Sequence, residues 1–425
     1  MKKIIISLIA FATLALIGAF IYLVTNNSGP AADVTNEGGT FPSGNNGDST
    51  GIGRNGVGTG GGSLFPEAST TVTVNIPFPT NTDNTSREAR RVGDMQVISA
   101  TTFGTIKGVN LTTRFVEAGS GNIWDYRPLG SESKRVSATT IPRVKEVIWS
   151  IRGEFALLRY LDENAAVVKN YSIKVPTSTS AKVEGYFLPD NLITAVPSPT
   201  DNKLFYLAEN KAGGTDGFLT TFANGKTITL FTSPFGEWQI SWPLSGSLII
   251  TTKTSNQVFG NSYSTPASGG SYSLFATAKP LLNNIKGLTA LSNPSLEKVI
   301  YSQSGPKSFS TRFLNVKTNE SRDFPLITFP IEKCVWDKIK INIAYCAAPR
   351  EKLTGGQPDL WYKGLVTFTD NIYRVDTDSD TVTLLYSPTI EGPDVSQIIV
   401  SEDSSFLFFI NRKDSSLWAL PLIQI

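Results

Sequence analysis

A short phrase, in which two apolar segments flank a tight polar turn, recurs along this 425-residue chain. Clear copies lie at 147–160, 240–252 and 334–346, and looser copies begin near 195, 290 and 398. The residue after the first segment marks each copy: Ser150, Ser198, Pro243, Asn293, Asp337 and Glu402. Successive markers are 48, 45, 50, 44 and 65 residues apart. A period of about 40 to 50 residues built from strands and turns is typical of β-propeller blades, so the sequence predicts an all-β propeller.

The blade count is predicted as seven, with six as the alternative. The first blade is expected to hold strands at 96–103, 113–118, 122–128 and 135–141. Later blades are expected at 144–185, 190–234, 237–285, 286–329, 332–390 and 394–425. A strand with an aromatic or large aliphatic pair recurs seven times, which favours seven blades. The first copy lacks the tight turn, which leaves six blades plus an N-terminal extension open.

Closure of the ring needs one further strand, because the last repeat supplies only three. An uncovered sheet edge would expose unpaired backbone groups. The β-branched alternation at 71–77 predicts a strand just ahead of the first blade. We therefore expect a domain over 71–425 in which 71–77 completes the last blade.

Residues 1–24 are expected to be a signal anchor. Positions 4–24 carry no charge and would form a helix of about 31 Å, which matches a bilayer core. Lys2 and Lys3 place the N-terminus in the cytoplasm by the positive-inside rule. The alternative is a cleaved signal peptide, which would export the remaining chain as well.

A stretch rich in Gly, Ser, Asn and Thr follows at 25–70. It has too few large apolar residues to offset its chain entropy, so it is expected to be a coil with a reach of about 40 Å. We interpret it as a tether between the membrane and the propeller.

Several function classes are excluded by composition. The chain contains no histidine, so Ser-His-Asp and Cys-His sites and zinc sites that rely on imidazole are ruled out. The net charge is +2 with no basic stripe, which argues against nucleic-acid binding because that needs clustered cations. No cofactor is expected.

The turn motif resembles the repeat of TolB-like propellers, W-S-P-D-G followed by apolar and aromatic residues. The matching segments are 149–153 (WSIRG), 242–246 (WPLSG), 198–202 (SPTDN) and 371–376 (NIYRVD). The resemblance, which extends to WD-repeat-like propellers, covers the chain from Gly93 onward. It implies the fold, whereas such propellers serve as binding platforms, assembly factors and hydrolase domains.

The candidate binding surface is an insertion at 347–365, which accounts for the 65-residue step. Long loops in compact repeats are disproportionately functional. This one carries aromatic residues beside polar ones: Trp361, Tyr362, Asp359, Lys363 and Arg350. Such a set suits a peptide or glycan. The alternative is that the two aromatic residues fold back over the blade. A second, weaker candidate for a binding surface is the loop at 255–270.

Two further residue sets have specific chemistry. Cys334 and Cys346 are the only cysteines and lie on one predicted hairpin, so we expect a disulfide, with two buried thiols as the alternative. The alternate carboxylates Asp376, Asp378 and Asp380 could hold calcium. Their position in a predicted hairpin turn favours a plain turn without metal.

Together these features predict a single-pass protein of the bacterial cytoplasmic membrane with an extracytoplasmic propeller. The expected function is a non-catalytic scaffold that binds an envelope protein or a cell-wall polymer. The alternative is a histidine-independent hydrolase or lyase that uses paired carboxylates in the central channel.

Overall fold

The computed structural model describes residues 87–106, 111–130, 132–243, 246–270 and 272–423. Strands dominate this part of the chain, and its three helices have four residues each: α1 (Leu274–Thr277), α2 (Pro330–Lys333) and α3 (Asp359–Tyr362). None of these helices is long and apolar enough to cross a bilayer. The expected anchor at 1–24, the linker at 25–70 and the strand at 71–77 lie outside the described residues.

Five separate sheets follow one another along the chain, and each contains a four-stranded antiparallel meander. Sheet A contains β5 (Val144–Trp149), β6 (Phe155–Leu161), β7 (Val168–Lys174) and β8 (Glu184–Leu188). Sheet B contains β9 (Leu192–Pro197), β10 (Lys203–Glu209), β11 (Thr215–Thr221) and β12 (Ile228–Ser233), and β16 (Tyr272–Ser273) joins it parallel to β12.

Sheet C contains β13 (Trp238–Ser241), β14 (Ser247–Thr252), β15 (Phe259–Pro266) and β17 (Lys279–Lys286). Sheet D contains β18 (Ala290–Ser292), β19 (Lys298–Ser304), β20 (Phe309–Asn315) and β21 (Glu320–Asp323). Sheet E contains β22 (Cys334–Trp336), β23 (Ile343–Pro349), β24 (Asp370–Asp376) and β25 (Thr381–Tyr386). The five sheets occupy the spans at 144–390 that the repeat predicts for successive blades, to within a few residues.

The sixth sheet, here called the closing sheet, joins the two ends of the described chain. Its seven strands run in the order β26 (Val395–Val400), β27 (Phe406–Asn411), β28 (Ser416–Pro421), β1 (Arg90–Phe103), β2 (Thr112–Glu117), β3 (Ile123–Arg127) and β4 (Glu132–Arg135). The expected strand at 135–141 is therefore wrong in position. β4 lies earlier because Glu132 pairs with Arg127 across a short turn.

Strand β1 belongs to both halves of the closing sheet. Its first half pairs with β28, with Arg90 opposite Ala419, and its second half pairs with β2, with Phe103 opposite Thr112. The register with β28 shifts between Arg91 and Gln96, and Gly93 in this interval has a φ of +68°, which favours glycine. The strand beside β28 is thus the first half of β1, and the expectation that 71–77 fills this place is wrong.

The buried core is divided among clusters that lie between successive sheets. Apolar side chains of sheets A and B pack together, and so do those of B and C, C and D, and D and E. The closing sheet packs on sheet E through β26–β28 and on sheet A through β2 and β3. A further cluster joins the two halves of the closing sheet. The packing order returns to its start, which is the arrangement of a propeller.

Buried polar residues close the turn after the innermost strand in five repeats: Ser150, Ser198, Asn293, Asp337 and Ser401. In each, the side-chain oxygen accepts a backbone N–H of the following turn, for example from Phe155 to Ser150 Oγ at 3.0 Å. This shared cap explains why Ser, Asn and Asp recur at the sequence markers. In the last repeat the capping residue is Ser401, one position before the expected Glu402.

The closure predicts different effects for two deletions. A variant that begins at residue 97 loses the first half of β1, including Val92, which is 1% exposed. Its free energy of unfolding is expected to fall by at least about 3 kcal/mol, because a buried side chain and several ladder hydrogen bonds are lost. Thermal and urea unfolding, with a variant that begins at residue 87 as the control, measure this.

Deletion of 71–77 from the full chain is expected to leave the unfolding temperature unchanged, because the strand beside β28 is retained. A loss of stability as large as that of the variant beginning at residue 97 would contradict the observed closure.

Candidate functional site

A buried ionic cluster lies where sheet E meets the closing sheet. Lys333 ends α2 immediately before β22, Asp370 begins β24, and Asp394 immediately precedes β26. The Lys333 ammonium group contacts a carboxylate oxygen of Asp370 and lies 2.6 Å from Asp394 Oδ1. All three side chains are 0% exposed. The cluster therefore joins positions at the starts of β22, β24 and β26 through one buried cation that two buried carboxyl groups share.

Aromatic rings surround the Lys333 ammonium group. Its Nζ lies 5.9 Å from the ring centre of Phe329, 5.1 Å from that of Trp361 and 5.8 Å from that of Phe368. The indole of Trp361 stacks on Phe329 at 4.9 Å and donates a hydrogen bond of 3.0 Å to each carboxylate oxygen of Asp394. Cation–π attraction and the indole N–H thus stabilise both signs of charge in a dry environment.

A second, partly buried pair lies beside this cluster, where the Tyr362 hydroxyl donates a hydrogen bond to Glu332. Burial raises the pKa of Glu332 to about 7, although the Tyr362 hydroxyl and the charges of Lys333 and Arg412 favour the ionised form. Burial also raises the pKa of Asp370 to about 6, against the opposing effect of Lys333. Both carboxyl groups therefore titrate well above their usual range.

The insertion at 347–365 is fixed to its neighbours by polar contacts. Arg412 lies over the Trp361 ring at 4.3 Å and donates hydrogen bonds to the backbone carbonyls of Trp361 and Tyr362. Asp359 accepts hydrogen bonds from the backbone N–H of Asn256 (2.7 Å) and the hydroxyl of Ser255 (3.2 Å). The insertion thus joins the loop after β14 to the end of β27.

The structure corrects the predicted binding surface. Trp361 is 2% exposed and belongs to a core cluster with Phe309 and Phe329, so it cannot be a surface anchor. Tyr362 is partly buried against this cluster. The two rings cover the ends of sheets D and E, which is the alternative left open by the sequence. The physical reason is that the indole N–H reaches a buried acceptor on the closing sheet.

The remaining polar residues of the insertion do not converge. Asp359 faces the loop after β14. Arg350 is exposed and donates a hydrogen bond of 2.9 Å to the carbonyl of Pro388. Lys363 is exposed directly after α3. The structure thus does not bring the five predicted residues together into one surface.

The three carboxylates of the 376–380 turn have separate partners. Asp376 accepts backbone N–H groups of its own turn, Asp378 pairs with Lys298, and Asp380 pairs with Arg322 at 2.5 Å. No group of three acidic, cysteine or histidine residues suited to a metal occurs in the described part of the chain. The contacts bind sheet E to sheet D.

Cys334 and Cys346 are direct partners on β22 and β23, with Cα atoms 4.1 Å apart. The structure joins them in a disulfide, and both are buried within the core shared by sheets D and E. The bond is thus placed as a structural cross-link.

The sequence does not reveal the ionic cluster, because its members are 37 and 24 residues apart and share no motif. Only the topology brings the start of β24 and the two positions before β22 and β26 together. The one available signal is that Lys333 directly precedes the repeat copy at 334–346 and that Asp394 begins the span predicted for the last blade.

Several solved structures resemble this fold. The oligogalacturonate lyase of Vibrio parahaemolyticus matches with a TM-score of 0.56 at 8% identity, over 80% of this chain and 95% of that chain. An oligogalacturonate lyase in complex with manganese matches with a TM-score of 0.53 at 10% identity, over 80% and 95% of the two chains. TolB from Acinetobacter baumannii has a TM-score of 0.42 at 11% identity, over 65% and 61%.

At such identities these likenesses show a shared fold alone. The TM-score to TolB is below 0.5, so the propeller architecture rests on the strand order and packing of the described residues and not on this likeness. No protein-family model matches the chain, and no curated protein sequence does either.

Lys333→Met is expected to lower the free energy of unfolding by about 3–5 kcal/mol, because it leaves Asp370 and Asp394 buried without a counter-ion. Lys363→Met, at an exposed position in the same region, is the matched control and is expected to change stability by less than about 0.5 kcal/mol. Urea unfolding measures both. Equal stability of the two variants would show that the cluster does not hold the sheets together.

Glu332→Gln is expected to change how stability depends on pH. Between pH 4.5 and about 7 the folded state keeps a proton on Glu332 that the unfolded chain releases, so this residue's contribution to stability falls as pH rises through that range. The shift corresponds to about 3 kcal/mol. The variant should lose correspondingly less stability than the wild type between pH 5 and 7.5.

Asp370 acts in the same direction but is present in both proteins, so their difference isolates Glu332. The exposed Glu163→Gln variant is the control and should follow the wild type. Identical pH profiles for wild type and Glu332→Gln would refute the assignment.

Proposed function

We propose that this chain is a membrane-anchored protein whose propeller acts outside the cytoplasm as a non-catalytic binding module for an envelope protein or a cell-wall polymer. In this proposal the closing sheet counts as two blades, so the ring has seven. The anchor at 4–24 and the tether at 25–70 hold it at the membrane.

The observation that carries the proposal is the burial of the ionic cluster. A catalytic carboxylate pair must reach its substrate, whereas Asp370 and Asp394 are 0% exposed and share Lys333 as a counter-ion. Trp361 donates to Asp394 as well. The convergent ionisable groups of the described chain thus stabilise the junction between sheet E and the closing sheet, which suits a rigid platform better than an active site.

The alternative, a hydrolase or lyase that uses channel carboxylates, requires such groups to be open to solvent. The fold is shared with oligogalacturonate lyases, but at 8–10% identity this supports the architecture only. Lyase activity is therefore tested directly with oligogalacturonate.

Location is tested with the full chain in intact cells. We expect the full chain in the membrane fraction, with its propeller cleaved by protease added outside the cytoplasmic membrane. A variant that lacks 1–24 should stay in the soluble fraction and be protected. A full-length protein that is soluble and protected in the same cells would refute the anchor.

Catalysis is tested with the purified full chain and oligogalacturonate. We expect the oligosaccharide to keep its length over hours with the protein in molar excess. Shortening of the oligosaccharide by the wild-type chain would replace the proposal with the lyase alternative.

A further inference from the structure

A cleft of about 830 Å³ opens between strands β2–β4 of the closing sheet and sheet A. Five cationic side chains line it: Arg114, Arg127, Lys134, Arg135 and Lys174. They come from four strands, so their charges are distributed along the cleft. Three carboxylates also line it: Asp125, Glu132 and Glu154. Cations therefore exceed carboxylates by two within this one concavity.

With the Arg114–Asp125 pair set aside, four exposed cationic side chains and two carboxylates, Glu132 and Glu154, remain in the cleft, so the excess of two positive charges is unchanged. Asp125 accepts two hydrogen bonds from Arg114, at 2.7 and 2.8 Å, so both of its oxygens are occupied. Lys134 is the cross-strand neighbour of Asp125 but forms no ion pair with it. Among the described residues, no ion pair or side-chain hydrogen bond is formed by Arg127, Lys134, Arg135 or Lys174.

The wall of the cleft is well packed and partly apolar. Val136 and Val175 are buried there, and Phe155 is partly buried and stacks on Phe222 at 6.4 Å between ring centres. Arg114 also donates a hydrogen bond of 2.7 Å to the carbonyl of Gly153, which ties β2 to the first turn of sheet A. The cations thus project from fixed strands beside an apolar wall.

We infer that this cleft binds a polymer with repeated anionic groups, as found in phosphate-bearing or uronate-bearing cell-wall polymers. Four unpaired cations from three strands match several anionic groups better than one ion, and the low-dielectric wall strengthens their field. The apolar wall accommodates the C–H face of a sugar or polyol unit. This inference rests on the proposed binding function and assigns it a ligand class and a place.

The test uses the full chain in detergent and three polymers of equal length: a glycerol-phosphate polymer, a polyuronate and a neutral glucan. Binding is measured by calorimetry at two salt concentrations. We expect binding of one or both anionic polymers, weaker at higher salt because exposed charges are screened, and none of the glucan. The polymer that binds identifies phosphate or carboxylate as the recognised group.

The double variant Lys134→Glu/Arg135→Glu is expected to lower the affinity by about tenfold or more, because it reverses two charges of the cleft. The control is Lys211→Glu/Lys226→Glu, which makes the same change in net charge at exposed positions of sheet B and should stay within about twofold of the wild type. Unfolding temperatures of both variants show that they are folded.

Equal losses in the two double variants, or no binding of either anionic polymer by the wild type, would overturn the inference. If the full chain nevertheless lies at the membrane and leaves oligogalacturonate intact, the binding module stands and only its ligand class is wrong.

Discussion

The hydrogen bonds that strand β1 forms with both β28 and β2 determine the rest of this structure. Five sheets can pack side by side in sequence, but only a strand shared by the two ends of the chain turns their order into a ring. Because the shared strand pairs with β28, that strand has no free edge. A free edge would expose unpaired backbone groups to other chains. It also makes the stability of the last repeat depend on residues more than 300 positions earlier in the chain.

The ionic cluster explains what the insertion contributes. A repeat unit that buries a lysine and two aspartates needs partners for each charge. The insertion supplies two of them, because the Trp361 indole donates to Asp394 and its ring faces Lys333. Asp370 instead accepts from Lys333 and from the backbone N–H of Val395. The same segment contacts the loop after β14 through Asp359 and the end of β27 through Arg412. An element that resembles a binding loop in sequence is therefore a clamp between sheets, whereas the cleft lined by several exposed cations lies between the closing sheet and sheet A.

Sequence periodicity predicts the sheets well because five of the repeats share one local feature, a buried polar residue that caps the turn after the first strand. Ser150 and Asn293 cap the equivalent turn in different sheets, and the small polar residue that such a cap requires can be recognised in the sequence. Contacts between distant segments are not visible in this way. The sequence of the first half of β1 is charged and lacks a strand-like alternation, so the sequence alone favours 71–77 as the closing strand. Trp361 reads equally well as exposed or buried, because its acceptor, Asp394, is 33 residues away. The Lys333 cluster likewise depends on topology alone.

The most direct measurement of the closure is a cross-link between the two ends of the ring. Arg90→Cys and Ala419→Cys together place two thiols on register partners of β1 and β28. If β1 is the shared strand, this pair oxidises rapidly to an intramolecular disulfide in the full chain, and no such bond forms when Val74→Cys replaces Arg90→Cys. Efficient bonding from position 74, with none from position 90, would contradict the shared strand and return the closing role to 71–77.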